Sequence, residues 1–227
     1  MNALPRMVAE GVATFALVFI GAGAICANAV NGGSHGIVGI AFAHGLAIMV
    51  MVYATAHISG GHINPAVTLA MWVTKQMRGD MAGFYVIAQL LGGLTAALCL
   101  KTIYPQFVHA APFLGNPELN HAIPHMSVAL GIGVEAVLTF FLVFVIFAVG
   151  VDGRGLKPAV GLSIGMTICL DILMGGVLTG AAMNPARAFA TAVVTGRWAD
   201  HIVYWVGPLL GGMLGGKVYM RFCYGKS

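Results

Sequence analysis

Six long apolar stretches constrain the fold of this chain more than any other feature of its sequence. Each has about 20 residues or more, which is the length that a helix needs to cross the hydrocarbon core of a bilayer. Hydrophobic residues make up 59% of the 227 residues and charged residues only 8%, too little polar surface to cover a water-soluble globule. Because lipid offers the backbone no hydrogen-bond partners, we expect these stretches to be helical. The predicted spans are 6–30, 37–58, 82–104, 127–150, 158–177 and 202–224.

Two further apolar segments are too short to cross a bilayer. They lie near 64–76 and 184–194, and each begins with an Asn-Pro pair. Asn is a strong N-cap and Pro is favoured at the first helical position, so we predict two half-helices. Non-helical backbone at membrane depth is tolerated only where it is buried in protein or lines a wet cavity. The two segments therefore indicate a pathway through the protein.

The chain also contains an internal repeat, because three segments of its first half recur in the second half. The matching pairs are 10–19 with 135–144, 59–70 with 179–190, and 85–94 with 204–213. Each copy holds three spans and one half-helix. An odd number of crossings makes the second copy enter the membrane from the opposite side, so the repeats are predicted to be inverted.

These features predict a single membrane domain over 1–227. Its inverted repeats cover about 6–104 and 127–224 and are joined by an external loop, 105–126. In proteins with inverted repeats, substrate sites lie near the midplane, where broken helices from both halves meet. We therefore expect Asn64 and Asn184 to meet there.

The distribution of the basic residues predicts the orientation. With six spans and a cytoplasmic N-terminus, most Lys and Arg residues fall on the cytoplasmic side, as the positive-inside rule requires. That side holds Arg6, Lys75, Arg78, Arg154, Lys157, Lys217, Arg221 and Lys226, and the other side holds Lys101, Arg187 and Arg197. We predict a multi-pass protein of the cell membrane with both termini cytoplasmic.

The two turns, Asn64-Pro65-Ala66 and Asn184-Pro185-Ala186, have a chemistry that suits neutral solutes. Two helix N-termini that meet head to head create a positive region, which disfavours cations. The Asn amides offer N–H donors to a water molecule, which must then donate to its neighbours, and this interrupts a proton wire. The preceding segments are small enough to run extended and to present a ladder of carbonyl acceptors. They are Gly60, Gly61, His62 and Ile63, and Gly180, Ala181, Ala182 and Met183.

Three acids lie within apolar spans. Glu10 and Glu135 are related by the repeat, and because buried acids are costly in lipid we expect a functional role. Each is predicted to accept hydrogen bonds from one of the carbonyl-bearing loops and to hold it in place. Asp171 has no counterpart in the first repeat, and we expect it to make a subunit contact or an inter-helix hydrogen bond; proton coupling is the less favoured interpretation.

Taken over its whole length, the chain resembles the aquaporin and glycerol-facilitator family, the major intrinsic proteins. The resemblance rests on the loops SGGHINPAVT and TGAAMNPAR, the paired acids Glu10 and Glu135, and YWVGPLLGG in the last span. It implies an all-α membrane protein with six transmembrane helices and two re-entrant half-helices. It also implies a pore in each protomer and a homotetramer.

The resemblance further implies an external selectivity filter of four residues, which its spacing places at His44, Ile172, Ala181 and Arg187. This set is similar to that of the plant tonoplast aquaporins, which are associated with water and ammonia. His44 and Arg187 are expected to supply donors and Ile172 an apolar wall. His125, before the fourth predicted span, is a candidate fifth filter residue.

The favoured function is a passive channel for water and small neutral solutes such as ammonia that excludes protons and ions. A glycerol or small-polyol facilitator is the alternative, less favoured because the filter lacks an aromatic corner. A secondary active transporter is less favoured still, because amides rather than carboxylates lie at the predicted midplane. The sequence has no nucleophile–base arrangement, metal cluster or phosphate loop, so we expect no catalytic residue, no metal, no cofactor and no nucleic-acid partner.

Overall fold

The computed structural model describes residues 3–225, and Lys226, one of the predicted cytoplasmic residues, lies outside them. Within that range, six long helices and two short ones follow one another without strands. They are α1 Leu4–Val30, α2 Gly36–Ser59, α3 Pro65–Val73, α4 Gly79–Ile103, α5 Val128–Ile146, α6 Val160–Thr179, α7 Pro185–Thr195 and α8 Val203–Val218. One π-helical turn, Phe147–Val151, continues α5, and another, Tyr219–Cys223, continues α8.

The predicted helical fold class is confirmed, and the spans agree with the long helices to within a few residues. Five of these helices are long and apolar enough to cross a membrane by length and composition. The remaining one, α8, has 16 residues before its π turn and carries five glycines. The first half-helix is shorter than predicted and ends at Val73, because the chain reverses at Lys75 in a left-handed conformation with φ of 62°.

Close approach of helix backbones holds the bundle together. The helices pack chiefly as the pairs α1 with α4, α5 with α8, and α2 with α6. A Cβ atom at Gly92 would overlap the carbonyl of Gly11, and one at Gly211 would overlap that of Ala136. Since lipid supplies little hydrophobic driving force between helices, such contacts between small residues are the usual source of packing energy in membranes.

The two short helices are each about half a bilayer long. At 1.5 Å per residue, the 9 residues of α3 and the 11 of α7 extend for roughly 14 and 17 Å, against about 30 Å of hydrocarbon. α3 packs against α4 and α8, whereas α7 packs mainly against α4. Both are therefore enclosed by long helices, and Asn64 and Asn184 begin them inside the protein.

The turn after α5 ties the ends of two helices together. The buried Asp152 carboxylate accepts hydrogen bonds from Arg154 Nε at 3.0 Å and from Tyr219 Oη at 3.0 Å. Arg154 Nη2 also donates to the carbonyl of Cys223 at 2.7 Å. The Arg154 guanidinium, helped by the Tyr219 hydroxyl, holds the pKa of Asp152 well below its usual range. This carboxylate therefore stays ionised at every physiological pH.

Replacing Asp152 with Asn should lower the thermal unfolding midpoint by a few degrees. A carboxyl whose pKa is lowered by folding contributes stability above its unfolded pKa of about 3.9, and loses it only in stronger acid. The decrease should therefore be equal at pH 5 and pH 8, as measured by fluorescence-detected melting. Asp80→Asn is the matched control, because Asp80 forms an exposed pair with Arg78 and exposed pairs contribute little. A decrease that vanished at pH 5 would contradict this account.

Candidate functional site

The side chains of Asn64 and Asn184 cap the two half-helices. Asn64 Oδ1 accepts from the backbone N–H of Ala66 at 2.8 Å. Asn184 Oδ1 accepts from the N–H groups of Ala186 and Arg187, at 3.0 and 3.3 Å. A proline follows each Asn at the first helical position, which needs no N–H donor. The local sequence is thus sufficient to start both helices at these points.

The same two side chains also connect the halves of the protein. Asn64 Nδ2 donates to the carbonyl of Met183 at 2.8 Å, and Asn184 Nδ2 donates to the carbonyl of Ile63 at 2.9 Å. Since each amide nitrogen carries two N–H groups, one per side chain is left to face a solute. Both residues line an inner chamber of about 30 Å³. One water needs roughly 10–15 Å³ of such space, so the chamber holds only a few water molecules.

The backbone before each Asn differs from the extended path expected from the sequence. Residues in the left-handed region interrupt it at Gly60, Gly61, Ile63, Gly180, Ala181 and Met183. Three of these have a side chain, and such residues cost about 1–3 kcal/mol each unless their surroundings fix them. Of the eight expected ladder residues, Gly61, His62, Ile63, Ala181, Ala182 and Met183 line the inner chamber. Gly180 lines an outer cavity instead.

Glu10 lies behind the first of these loops and is fully buried. Its Oε1 atom accepts from the N–H of His62 at 2.9 Å and from Ser59 Oγ at 2.6 Å. Its Oε2 atom accepts from the N–H of Ile63 at 2.7 Å and from Gln89 Nε2 at 2.8 Å. Four donors on two oxygens suit an acceptor-only carboxylate.

Glu135 repeats this arrangement behind the second loop. Its Oε1 atom accepts from the N–H of Ala182 at 2.9 Å and from Thr179 Oγ1 at 2.6 Å, and its Oε2 atom accepts from the N–H of Met183 at 2.7 Å. A tyrosine hydroxyl also forms a hydrogen bond with the backbone at the start of each loop. Tyr85 donates to the carbonyl of Ser59, and Tyr204 donates to the carbonyl of Thr179.

Four of these supporting residues were not predicted from the sequence, namely Ser59, Thr179, Tyr85 and Tyr204. Both pairs occupy equivalent places in the repeat, which could have marked them. Gln89 was not predicted either, and its counterpart in the second copy is Pro208, so no repeat pattern marks it.

Three of the four expected filter residues lie where the inner chamber meets an outer cavity of about 350 Å³. His44, Ile172 and Arg187 line both spaces, and Ala181 lines the inner one. Arg187 is 3% exposed, and its Nη1 atom has no hydrogen-bond partner within the described range. A buried guanidinium donor is thus available at the junction.

The orientation of His44 changes its expected role as a donor. Its Nδ1 atom lies 2.9 Å from the carbonyl of Ile40. A carbonyl can only accept, so Nδ1 carries the proton, and in the neutral ring Nε2 is left as an acceptor. The ring packs over Gly21 of α1, where a Cβ atom would overlap it. Gly21 therefore shapes the junction of the two spaces through His44, and nothing in the sequence had marked it.

Two other expected residues lie apart from this junction. His125 is exposed in the connection before α5 and, in the part of the chain that the structure describes, is not among the residues that line either space. Its role as a fifth filter residue stays a prediction. Asp171 is 6% exposed, and its Oδ2 atom has no hydrogen-bond partner among residues 3–225, so the expected inter-helix bond is not seen for that atom. The described residues contain no group of three metal-ligating side chains.

Comparison with known proteins decides the family. A sequence model described as "Major intrinsic protein" matches residues 1–219. The chain belongs to the major intrinsic protein family. Aquaporin TIP4-4 of Zea mays is 44% identical over 220 residues, which are 94% of this chain and 84% of that protein. The lens fiber major intrinsic protein of Lithobates pipiens is 43% identical over 212 residues, or 93% and 78% of the two chains.

A solved structure shows the fold as well. The X-ray structure of the aquaglyceroporin from Plasmodium falciparum superimposes with a TM-score of 0.85 over 97% of both chains, at 24% sequence identity. Major intrinsic proteins are membrane channels for water and small solutes and not enzymes. The chain is accordingly an integral membrane channel of this family, and the two spaces described above lie along its candidate pathway.

Gly21→Ala should disturb the filter through His44. The added methyl group must displace the imidazole, and overpacking of this kind costs about 1–3 kcal/mol. We expect a lower thermal stability and a lower water permeability per protein in proteoliposomes. Gly133→Ala is the matched control, since a Cβ atom at Gly133 meets nothing within 4 Å. If both variants conduct like the wild type, Gly21 does not position His44.

Proposed function

We propose that this protein is a passive pore for water that also passes ammonia and excludes ions and protons. The observation that carries the proposal is the pair of crossed hydrogen bonds at the centre, from Asn64 to Met183 and from Asn184 to Ile63. They place two half-helix N-termini against each other, each equivalent to roughly half a positive charge. A cation that entered would face this charge, whereas a water oxygen would accept from the remaining amide N–H groups.

The walls of the inner chamber support a narrow path for small solutes. Apart from the polar loops and from His44, Ile172 and Arg187 at the junction, they consist of aliphatic side chains from five helices, namely Leu17, Ile48, Val52, Val67, Leu142, Ile146, Ile164 and Ile168. These aliphatic side chains offer a solute no hydrogen bonds. Polar contacts are thus limited to the loop backbone, the two Asn amides and the junction, and a solute in single file is guided along them.

The filter supports water and ammonia over larger polyols. Arg187 offers a donor, the His44 ring in its neutral form an acceptor at Nε2, and Ile172 an apolar surface, with the small Ala181 completing the set. Water and ammonia both donate and accept, and both are small. Glycerol would need an aromatic surface for its carbon backbone, and these four residues provide none.

Glu10 and Glu135 are proposed to hold the pore loops, on the strength of the bonds described above.

We further propose a homotetramer in the cell membrane, with both termini cytoplasmic. The excess of basic residues on the side of the two termini supports this orientation. The names of the relatives, Aquaporin TIP4-4 among them, support water as a solute.

His44→Phe tests the solute range of the filter. In proteoliposomes, the wild type should raise both water and ammonia permeability above the lipid background and leave glycerol permeability at it. A bulky phenyl ring removes the acceptor and narrows the junction, so we expect ammonia flux to fall more than water flux. Stopped-flow light scattering and an internal pH dye measure the two fluxes, and His57→Phe, at a site outside both spaces, is the control.

Three outcomes would overturn the proposal. Wild-type ammonia flux equal to the lipid background removes ammonia from the solute range. Glycerol flux well above the background identifies a polyol facilitator, and water flux that depends on an ion gradient identifies an active transporter.

A further inference from the structure

A further space lies away from the candidate pathway, where the start of α1 meets the end of α3 and the start of α4. It is an open cleft of about 650 Å³ whose lining includes Arg6, Lys75, Arg78 and Asp80. Among the described residues, it shares none with the inner chamber or the outer cavity. The cleft therefore has no part in the proposed pore.

The cleft has more positive than negative charge. Its one acid, Asp80, is matched by Arg78, whose Nε and Nη2 atoms donate to the two carboxylate oxygens at 3.1 and 2.7 Å. The lining has three basic side chains, those of Arg6, Lys75 and Arg78, against this one acid. Lys75 is exposed and follows α3 at the chain reversal. The excess of basic over acidic side chains makes the cleft suited to an anion.

An apolar groove continues from this cleft between α3 and α4. It has a volume of about 420 Å³ and is lined by Leu69, Ala82, Gly83 and Val86, among others. Trp72 borders both the cleft and the groove, and its side chain is 50% exposed. Trp is enriched at the level of the lipid headgroups, with its ring between the polar and apolar regions. The basic cleft and the groove thus form one site that is charged at one end and apolar at the other.

The segment after α7 differs from the one after α3. Arg197 follows α7 as Lys75 follows α3, but it forms a salt bridge with Glu118, and its guanidinium lies 3.7 Å from the centroid of the Phe113 ring. Nearby, Asp200 pairs with His121 at 2.6 Å. The cation that follows α7 is thus paired with an acid, whereas Lys75 forms no salt bridge among the described residues.

We propose that this site binds an anionic phospholipid, with the phosphate headgroup in the basic cleft and one acyl chain in the groove. Basic pockets between transmembrane helices bind anionic headgroups, and each nearby Lys or Arg strengthens such binding. Charge complementarity selects the headgroup, and the continuous groove favours a lipid over a soluble phosphate. The lipid would come from the leaflet on the side of the N-terminus.

Native mass spectrometry of the full-length protein in detergent tests the headgroup. Dioleoyl phosphatidylglycerol should be retained more strongly than dioleoyl phosphatidylcholine. Lys75→Gln should weaken retention of the anionic lipid by about fivefold, the effect of roughly one basic residue. Lys101→Gln is the matched control, because Lys101 is an exposed lysine at the other end of α4. Unchanged water permeability of both variants verifies that they are folded.

A second variant tests the acyl chain. Gly83→Leu is expected to fill part of the groove, since Gly83 lines it and a Cβ atom there meets nothing within 4 Å. It should reduce retention of phosphatidylglycerol, and soluble glycerol 3-phosphate should not displace the lipid. Any of four outcomes would overturn the proposal. They are equal retention of the two lipids, equal effects of the two lysine substitutions, unchanged retention in the Gly83→Leu variant, and displacement of the lipid by glycerol 3-phosphate.

Discussion

The hydrogen bonds that Glu10 and Glu135 accept from the pore loops are the interaction on which the rest of the site depends. Non-helical backbone inside a membrane protein leaves N–H groups without partners, at a cost of several kcal/mol each. Each glutamate takes two successive N–H groups of its loop, at 2.7 to 2.9 Å. Because those N–H groups are turned toward the acid, the loops can be fixed in a conformation that helices and strands do not allow.

Fixing the loops has consequences for the centre of the protein. Ile63, Ala181 and Met183 are held in the left-handed region, and the carbonyls of Ile63 and Met183 accept the crossed bonds from Asn184 and Asn64. The two half-helices are thereby joined to each other as well as to the surrounding bundle. The proposed exclusion of charge follows from this meeting of helix ends, whereas the proposed choice among neutral solutes depends on His44, Ile172 and Arg187.

Most of the fold could be predicted from the sequence because lipid leaves the backbone few choices. Apolar length determined the spans, and Asn-Pro capping determined where both half-helices begin. The repeat predicted that Asn64 and Asn184 meet, and the structure brings them together. What lay beyond prediction depends on contacts between distant segments, such as the bond of Gln89 to Glu10 and the packing of His44 over Gly21. The left-handed backbone of the loop residues was not predicted, because small residues fit an extended chain as well as a left-handed one.

The proton and water permeabilities of the same vesicles test the central claim most directly. Wild-type protein is reconstituted with a trapped pH indicator, and osmotic shrinkage and proton leak are followed in parallel. If the crossed Asn64 and Asn184 amides interrupt the water column as proposed, water permeability rises well above that of empty vesicles and proton leak stays at their level. A proton leak that rises together with water permeability would contradict the account.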